Sequence, residues 1–223
     1  MEKKTVTVTS HMIFYGSASN NERAKSIASD VQSKWNAASG TANIGGDSYK
    51  VNFVVTGEHR EEFVEGENVI QGEIELNSDP GNNYLRLEEN ITGGPNGWDV
   101  SFMDVAGNSG YFKLGNVNAE GSTTEAHEMG HGFGLEHPID AAGDPFNYQG
   151  SGQPDIMAPR GAMVDPEYQW DSKATPGAKG GSINPEKRKV TQENIDDLNL
   201  GGLRYDSNGK SALGGITNNY HQK

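Results

Sequence analysis

The chain has 223 residues, with 18 Lys plus Arg against 31 Asp plus Glu, a formal net charge of −13, and no cysteine. That length buries a core without disulfides, and the missing thiols exclude thiolate zinc fingers, iron–sulfur clusters and a cysteine nucleophile. The acidic balance opposes phosphate backbones and anionic lipid, so neither nucleic acid nor a membrane is expected as a partner, and no run approaches the roughly 18 apolar residues of a membrane span.

Residues 5–15 are rich in β-branched and aromatic types, with Val6, Val8, Met12 and Phe14 on one parity, which predicts a first strand. Over 20–37 the apolar positions Ala24, Ile27, Ala28, Val31 and Trp35 recur at spacings of three and four, so a helix follows with Glu22, Arg23, Lys25 and Lys34 outside. Gly45 and Gly46 punctuate, and the alternation of Tyr49, Val51, Phe53 and Val55 predicts a second strand. Residues 58–75 are acidic and read as loop with one short element. Further short strands are predicted at 84–87, 99–103 and 111–114, between clusters of Gly, Asn, Asp and Pro.

Residues 122–132 read as a helix with Ser122 as N-cap and Glu125 three positions on, the spacing of a capping box. A long irregular tract, 138–189, follows. It ends in the basic run 187–189, expected as a solvated approach to a last helix over 191–200, which is capped by Thr191 and stopped by Gly201 and Gly202. The tail from 207 to 223 has few large apolar residues and is expected to be poorly ordered.

Chemistry concentrates between Thr123 and Pro138, where the chain reads H-E-x-x-H-x-x-G-x-x-H at His127, Glu128, His131, Gly134 and His137. Positions i and i+4 share a helix face, so His127 and His131 can present imidazole nitrogens to one ion at about 2.0 to 2.1 Å. A third ligand further along the helix would lie too far down its axis. Gly134 permits a turn back through positive φ, and His137, held extended by Pro138, completes a three-nitrogen site with a fourth position open. A carboxylate beside such a site, Glu128, has the chemistry of a general base. A chance match over five fixed positions is on the order of one in twenty thousand such chains, which weighs against reading the histidines as surface residues.

These residues resemble the metzincin clan of zinc metallopeptidases, whose elongated helix motif is followed by a tight turn with a methionine beneath the zinc. The segment Asp155-Ile156-Met157-Ala158-Pro159, about twenty residues after His137, looks like that turn, with Met157 as the apolar floor. The resemblance implies an α+β fold: a twisted mixed sheet with a backing helix, an active-site helix, and an irregular C-terminal subdomain ending in a helix. One catalytic domain is expected, its halves dividing at 134 and 135. The implied function is zinc-dependent endopeptidase activity on a polypeptide, with a non-catalytic zinc-stabilised or calcium-binding interaction module as the alternative.

Some clan members carry a tyrosine two positions after the turn methionine, where this chain has Pro159; Tyr168 reads as a core or surface residue. Arg160, Met163, Tyr168 and Trp170 are candidates to line the pocket beside the scissile bond. Asp99, Asp104, Asn108, Asn116 and Asn118 have oxygen ligands for Ca2+, but no EF-hand spacing, and turn chemistry is the better reading. His11, His59 and His221 read as structural or surface residues.

The chain also resembles the metallopeptidase toxin domains at the C-termini of bacterial polymorphic toxins. The alternation in 1–10 has no continuous apolar run of a signal peptide, there is no cysteine for a cysteine switch, and with a strand expected from residue 5 a propeptide is not expected. Delivery out of the producing cell within a larger precursor is therefore expected, with an inhibitor or immunity protein as partner.

Overall fold

A computed structural model describes residues 4–91, 99–117, 121–139, 143–144 and 146–223. The first strand, β1 (Thr5–Tyr15), leads into α1 (Asn21–Ala37), whose first turn is closed by the Asn20 side chain accepting from the Arg23 amide at 2.9 Å. The residues at three- and four-residue spacing are the ones α1 buries: Ala24, Ile27, Ala28, Val31 and Trp35. The chain then forms β2 (Thr41–Ile44), β3 (Asp47–His59), the small hairpin β4 (Phe63–Val64) and β5 (Glu67–Asn68), and α2 (Val69–Leu76). Next come β6 (Asn82–Glu88), β7 (Phe102–Met103), β8 (Ser109–Lys113), the short α3 (Leu114–Val117), α4 (Thr124–Gly132) and α5 (Gln192–Asp197).

The fold is α+β, built on a six-stranded mixed sheet in the order β2-β3-β1-β6-β8-β7. β3, β1, β6 and β8 run parallel, while β2 and β7 are antiparallel edges. The second half of β1 is apolar on both parities because both faces of the sheet are covered there. Met12 and Phe14 join the main core with α1 and α4, whereas Ile13 and Tyr15 pack with Ile70 and Ile74 of α2 and with Tyr84. Among the described residues no helix is long and apolar enough to cross a membrane.

Several expectations need correction. Residues 58–75 are not mostly loop: β3 continues to His59, where it still pairs with Phe14, and a hairpin and α2 follow. α2 packs on the opposite face from α1, so two helices back the sheet. The helix at 122–132 starts one turn position later, with Thr123 as N-cap, and no capping box forms. Ser122 Oγ does accept from the Thr124 amide at 3.1 Å, but Glu125 turns inward, with its Oε1 3.0 Å from Lys34 Nζ of α1. The last helix is shorter than expected, with its capping box at Thr191 and Asn194.

The irregular tract has a core of its own, formed by Tyr148, Ala158, Ala162, Val164 and Ile183 with Tyr168 packed against it. The tail is also docked, not loose: Asn108 Oδ1 accepts from the amides of Thr217 and Asn218 at 2.8 and 2.9 Å, and Tyr220 stacks on Tyr15.

Candidate metal centre

α4 is buried along its whole length, wedged between α1 and the irregular tract, and Trp35 of α1 donates its indole N–H to the Ala126 carbonyl at 3.1 Å. Its end is set by glycine. Gly134 has φ +96°, its amide donates to His131 O at 2.8 Å, and the Leu135 amide donates to Gly130 O at 2.9 Å. Together these two bonds make a Schellman closure that reverses the chain and brings His137 back toward the helix.

His127, His131 and His137 converge. His137 Nε2 lies 3.2 Å from His131 Nε2 and 3.3 Å from His127 Nε2. Nitrogens about 2.0 to 2.1 Å from a tetrahedral ion sit about 3.3 to 3.4 Å apart, so the observed spacing fits an edge of that tetrahedron. The opposite ring nitrogens are also positioned: His127 Nδ1 is 2.7 Å from Ile156 O and His131 Nδ1 2.8 Å from Leu135 O. Donation to those carbonyls protonates Nδ1 and leaves each Nε2 lone pair for a metal. Burial lowers the pKa of all three rings, His137 to about 4, which keeps them neutral. The three residues can therefore hold a metal ion, and among the described residues they are the one such group of His, Asp or Glu.

The calcium candidates are used otherwise. Asp99 pairs with Lys113 and accepts from the Ile91 amide, Asp104 accepts from Asn219, Asn108 holds the tail, and Asn116 accepts from Ser101. Asn118 lies outside the described residues.

Glu128 is buried, and burial raises its pKa to about 8, against the pull of Arg188 and Arg160. Among the described residues its carboxylate has neither a hydrogen-bond nor an ion-pair partner. Residues 155–158 form a tight turn beside the helix, with the Ala158 amide on Asp155 O and the Met157 amide on Asp155 Oδ1 at 2.6 Å. Met157 is buried, and its Sδ sits only 2.3 Å from where a Cβ on Gly130 would be. A side chain at 130 would push the methionine sulfur away from the helix.

Arg188 was not legible as a site residue. It is 3% exposed, not solvated with its neighbours Lys187 and Lys189. Its Nε donates to Thr123 Oγ1 at 2.8 Å and its Nη1 to Ala158 O at 2.9 Å, bolting the start of α4 to the methionine turn. The one available signal was the alternation of Arg188 with the buried Val190. Arg160 donates to Thr124 Oγ1 at 2.8 Å, Tyr168 packs on the tract's core, and Trp170 is exposed.

No protein-family model and no curated protein matches the chain. Among solved structures the chain is similar to archaemetzincin from Methanopyrus kandleri, at 12% identity and a TM-score of 0.42, over 86% of this chain and 95% of that one.

Proposed function

We propose that the chain is a zinc-dependent endopeptidase of metzincin type. The observation that carries this reading is the convergence of three neutral imidazole nitrogens at tetrahedral spacing, on a helix that also presents a buried, unpartnered carboxylate. A zinc ion there supplies a Lewis acid that polarises a peptide carbonyl and acidifies water.

The residues supply the rest. His127, His131 and His137 hold the ion, with the first two rings fixed by Ile156 O and Leu135 O. Glu128 takes a proton from the attacking water and delivers it to the amide nitrogen as the C–N bond breaks. A carboxylate raised to about 8 releases and accepts protons near neutral pH, the range in which one group can serve as base and then acid. A purely structural zinc site has no use for such a group. Met157 and the Arg188 tie hold the turn beneath the histidines in place.

The test is cleavage of a mixed peptide library by wild-type and Glu128→Ala protein, with and without a chelator. Wild-type cleavage is expected to stop on chelation and return with zinc. The variant is expected to lose about 10²- to 10⁴-fold in rate while keeping zinc. Full activity in Glu128→Ala protein would remove Glu128 from the chemistry, and bound zinc with no cleavage by the wild type would favour the binding-module alternative.

A further inference from the structure

The two arginines that act on Glu128 use their donors differently. Arg188 is enclosed and committed to Thr123 and Ala158. Arg160 is open to solvent and makes one hydrogen bond, from Nη2 to Thr124 Oγ1. A guanidinium carries five donors in a rigid plane, so one anchored nitrogen orients the group, and among the described residues its other donors have no acceptor. Thr124 lies four residues before Glu128, one helical turn away on the same face of α4. The charges of Arg160 and Glu128 influence each other, yet the two form no ion pair.

What sets Arg160 apart is that it is held in place by a hydrogen bond and partly desolvated without a carboxylate, in a chain with 31 acidic residues to 18 basic ones. Lys4, Lys34, Arg60, Arg86, Lys113 and Lys223 each sit on a carboxylate. Among the described residues no carboxylate lies within ion-pairing distance of Arg160. The surrounding protein also desolvates it enough to lower its pKa. A partly desolvated, oriented and unpaired guanidinium gains most from an incoming planar anion that accepts two parallel N–H bonds, which is what a carboxylate offers.

Resting on the peptidase reading, we propose that Arg160 is a specificity-determining residue that binds an Asp or Glu side chain of the peptide beside the scissile bond. Arg160 follows the methionine turn directly, is exposed, and is anchored to Thr124, which sits one helical turn before Glu128 on α4. The preferred substrate is thus an extended polypeptide with one acidic residue beside the cut, even though the enzyme itself is acidic overall.

Two assays separate this inference from the peptidase reading. In the first, the wild-type protein cleaves a peptide library. Acidic residues are expected at one fixed position near the cut, Arg160→Ala is expected to lower kcat/KM for a Glu peptide about tenfold while sparing its Gln counterpart, and Arg160→Glu is expected to turn the preference toward Lys. In the second, Glu128→Ala protein is titrated with two alanine-rich decapeptides that differ only in a central Glu or Gln, read by fluorescence anisotropy. The Glu peptide is expected to bind about tenfold more tightly, with the difference lost in the Arg160→Ala background and weakened by salt. Cleavage without acidic preference, or an equal loss on both peptides in Arg160→Ala, overturns the subsite and leaves the peptidase standing. Arg160-dependent binding of the Glu peptide with no cleavage by the wild type overturns the peptidase and leaves the subsite standing. Equal binding of the two decapeptides overturns the subsite whatever the first assay shows.

Discussion

Glu125 is wholly buried on α4, facing α1, beside the Lys34 ammonium and the Asp30 carboxyl. Burial and the Asp30 carboxyl push its pKa up to about 8, and Lys34 offsets this only in part. Because the folded value lies above the ordinary 4.5, the stability linked to its proton is complete below pH 4.5 and is lost as pH rises through about 8. Glu125→Gln keeps the shape, removes the ionisation and leaves an amide to face Asp30. It is expected to match or exceed the wild type above pH 8, whereas Glu125→Ala opens a cavity and loses about 2 kcal/mol at every pH. Urea denaturation at pH 7 and pH 9 reads this, and a wild type that loses no more than Glu125→Gln on going alkaline refutes it. The same residue shows why a short motif misleads. Ser122 and Glu125 have capping-box spacing, but position 125 falls on the buried face of a helix enclosed on all sides, so the carboxylate pairs across to α1 instead of back to its own helix end.

The tail shows how an element can form without any periodic signal. The Gly215 amide donates to Ala106 O at 2.8 Å, the Asn219 amide to Ser109 Oγ at 2.8 Å, and Arg86 Nη1 to His221 O at 2.9 Å. The first two of these bonds pin the turn between β7 and β8, and the third ties the tail to β6; the Ala106 amide of that turn in turn donates to His131 O at 2.7 Å. Deleting the residues after Leu213 is therefore expected to cost about 2 to 4 kcal/mol, from several hydrogen bonds worth about 1 kcal/mol each, and to weaken zinc binding as the support of His131 loosens. Chemical denaturation and a zinc titration of the truncated chain check both, and unchanged values in both would make the tail a passive coat. Its docking was illegible because Asn77, Asn108, Asn218 and Asn219 do the holding, and amides carry no hydrophobic period. α1 and the histidine helix were legible for the opposite reason, since each is written in local spacings that no distant partner alters. α2 lay between these cases: Ile70 and Ile74 have helical spacing, but Gly72 and the acidic residues around them masked an element formed by packing on Ile13 and Tyr15.

At the scale of the whole molecule, the histidine site joins α4 to the segment that follows it, so metal and fold are coupled. An ion that binds only the folded chain adds about 2.7 kcal/mol of stability at a hundred times its Kd, which for this size raises Tm by roughly 5 to 10 °C. Acid acts on this coupling in two stages. Without metal, the folded values of His127, His131 and His137 all lie below the ordinary 6.5, so the stability linked to them is present above pH 6.5 and declines as pH falls from there, because the unfolded chain takes up protons that the folded one refuses. The folded site keeps its lone pairs longer, since His137 titrates only at about 4. Thermal unfolding with and without zinc from pH 7.5 to pH 4 should show the metal-free Tm falling first, while the zinc increment persists below pH 6.5 and disappears at a lower pH, as the folded imidazoles take up protons. His137→Ala should lose most of the increment at every pH. An increment that halves between pH 7 and pH 6 in the wild-type protein would mean that the imidazoles titrate as free histidines, and that burial does not hold the site ready for its metal.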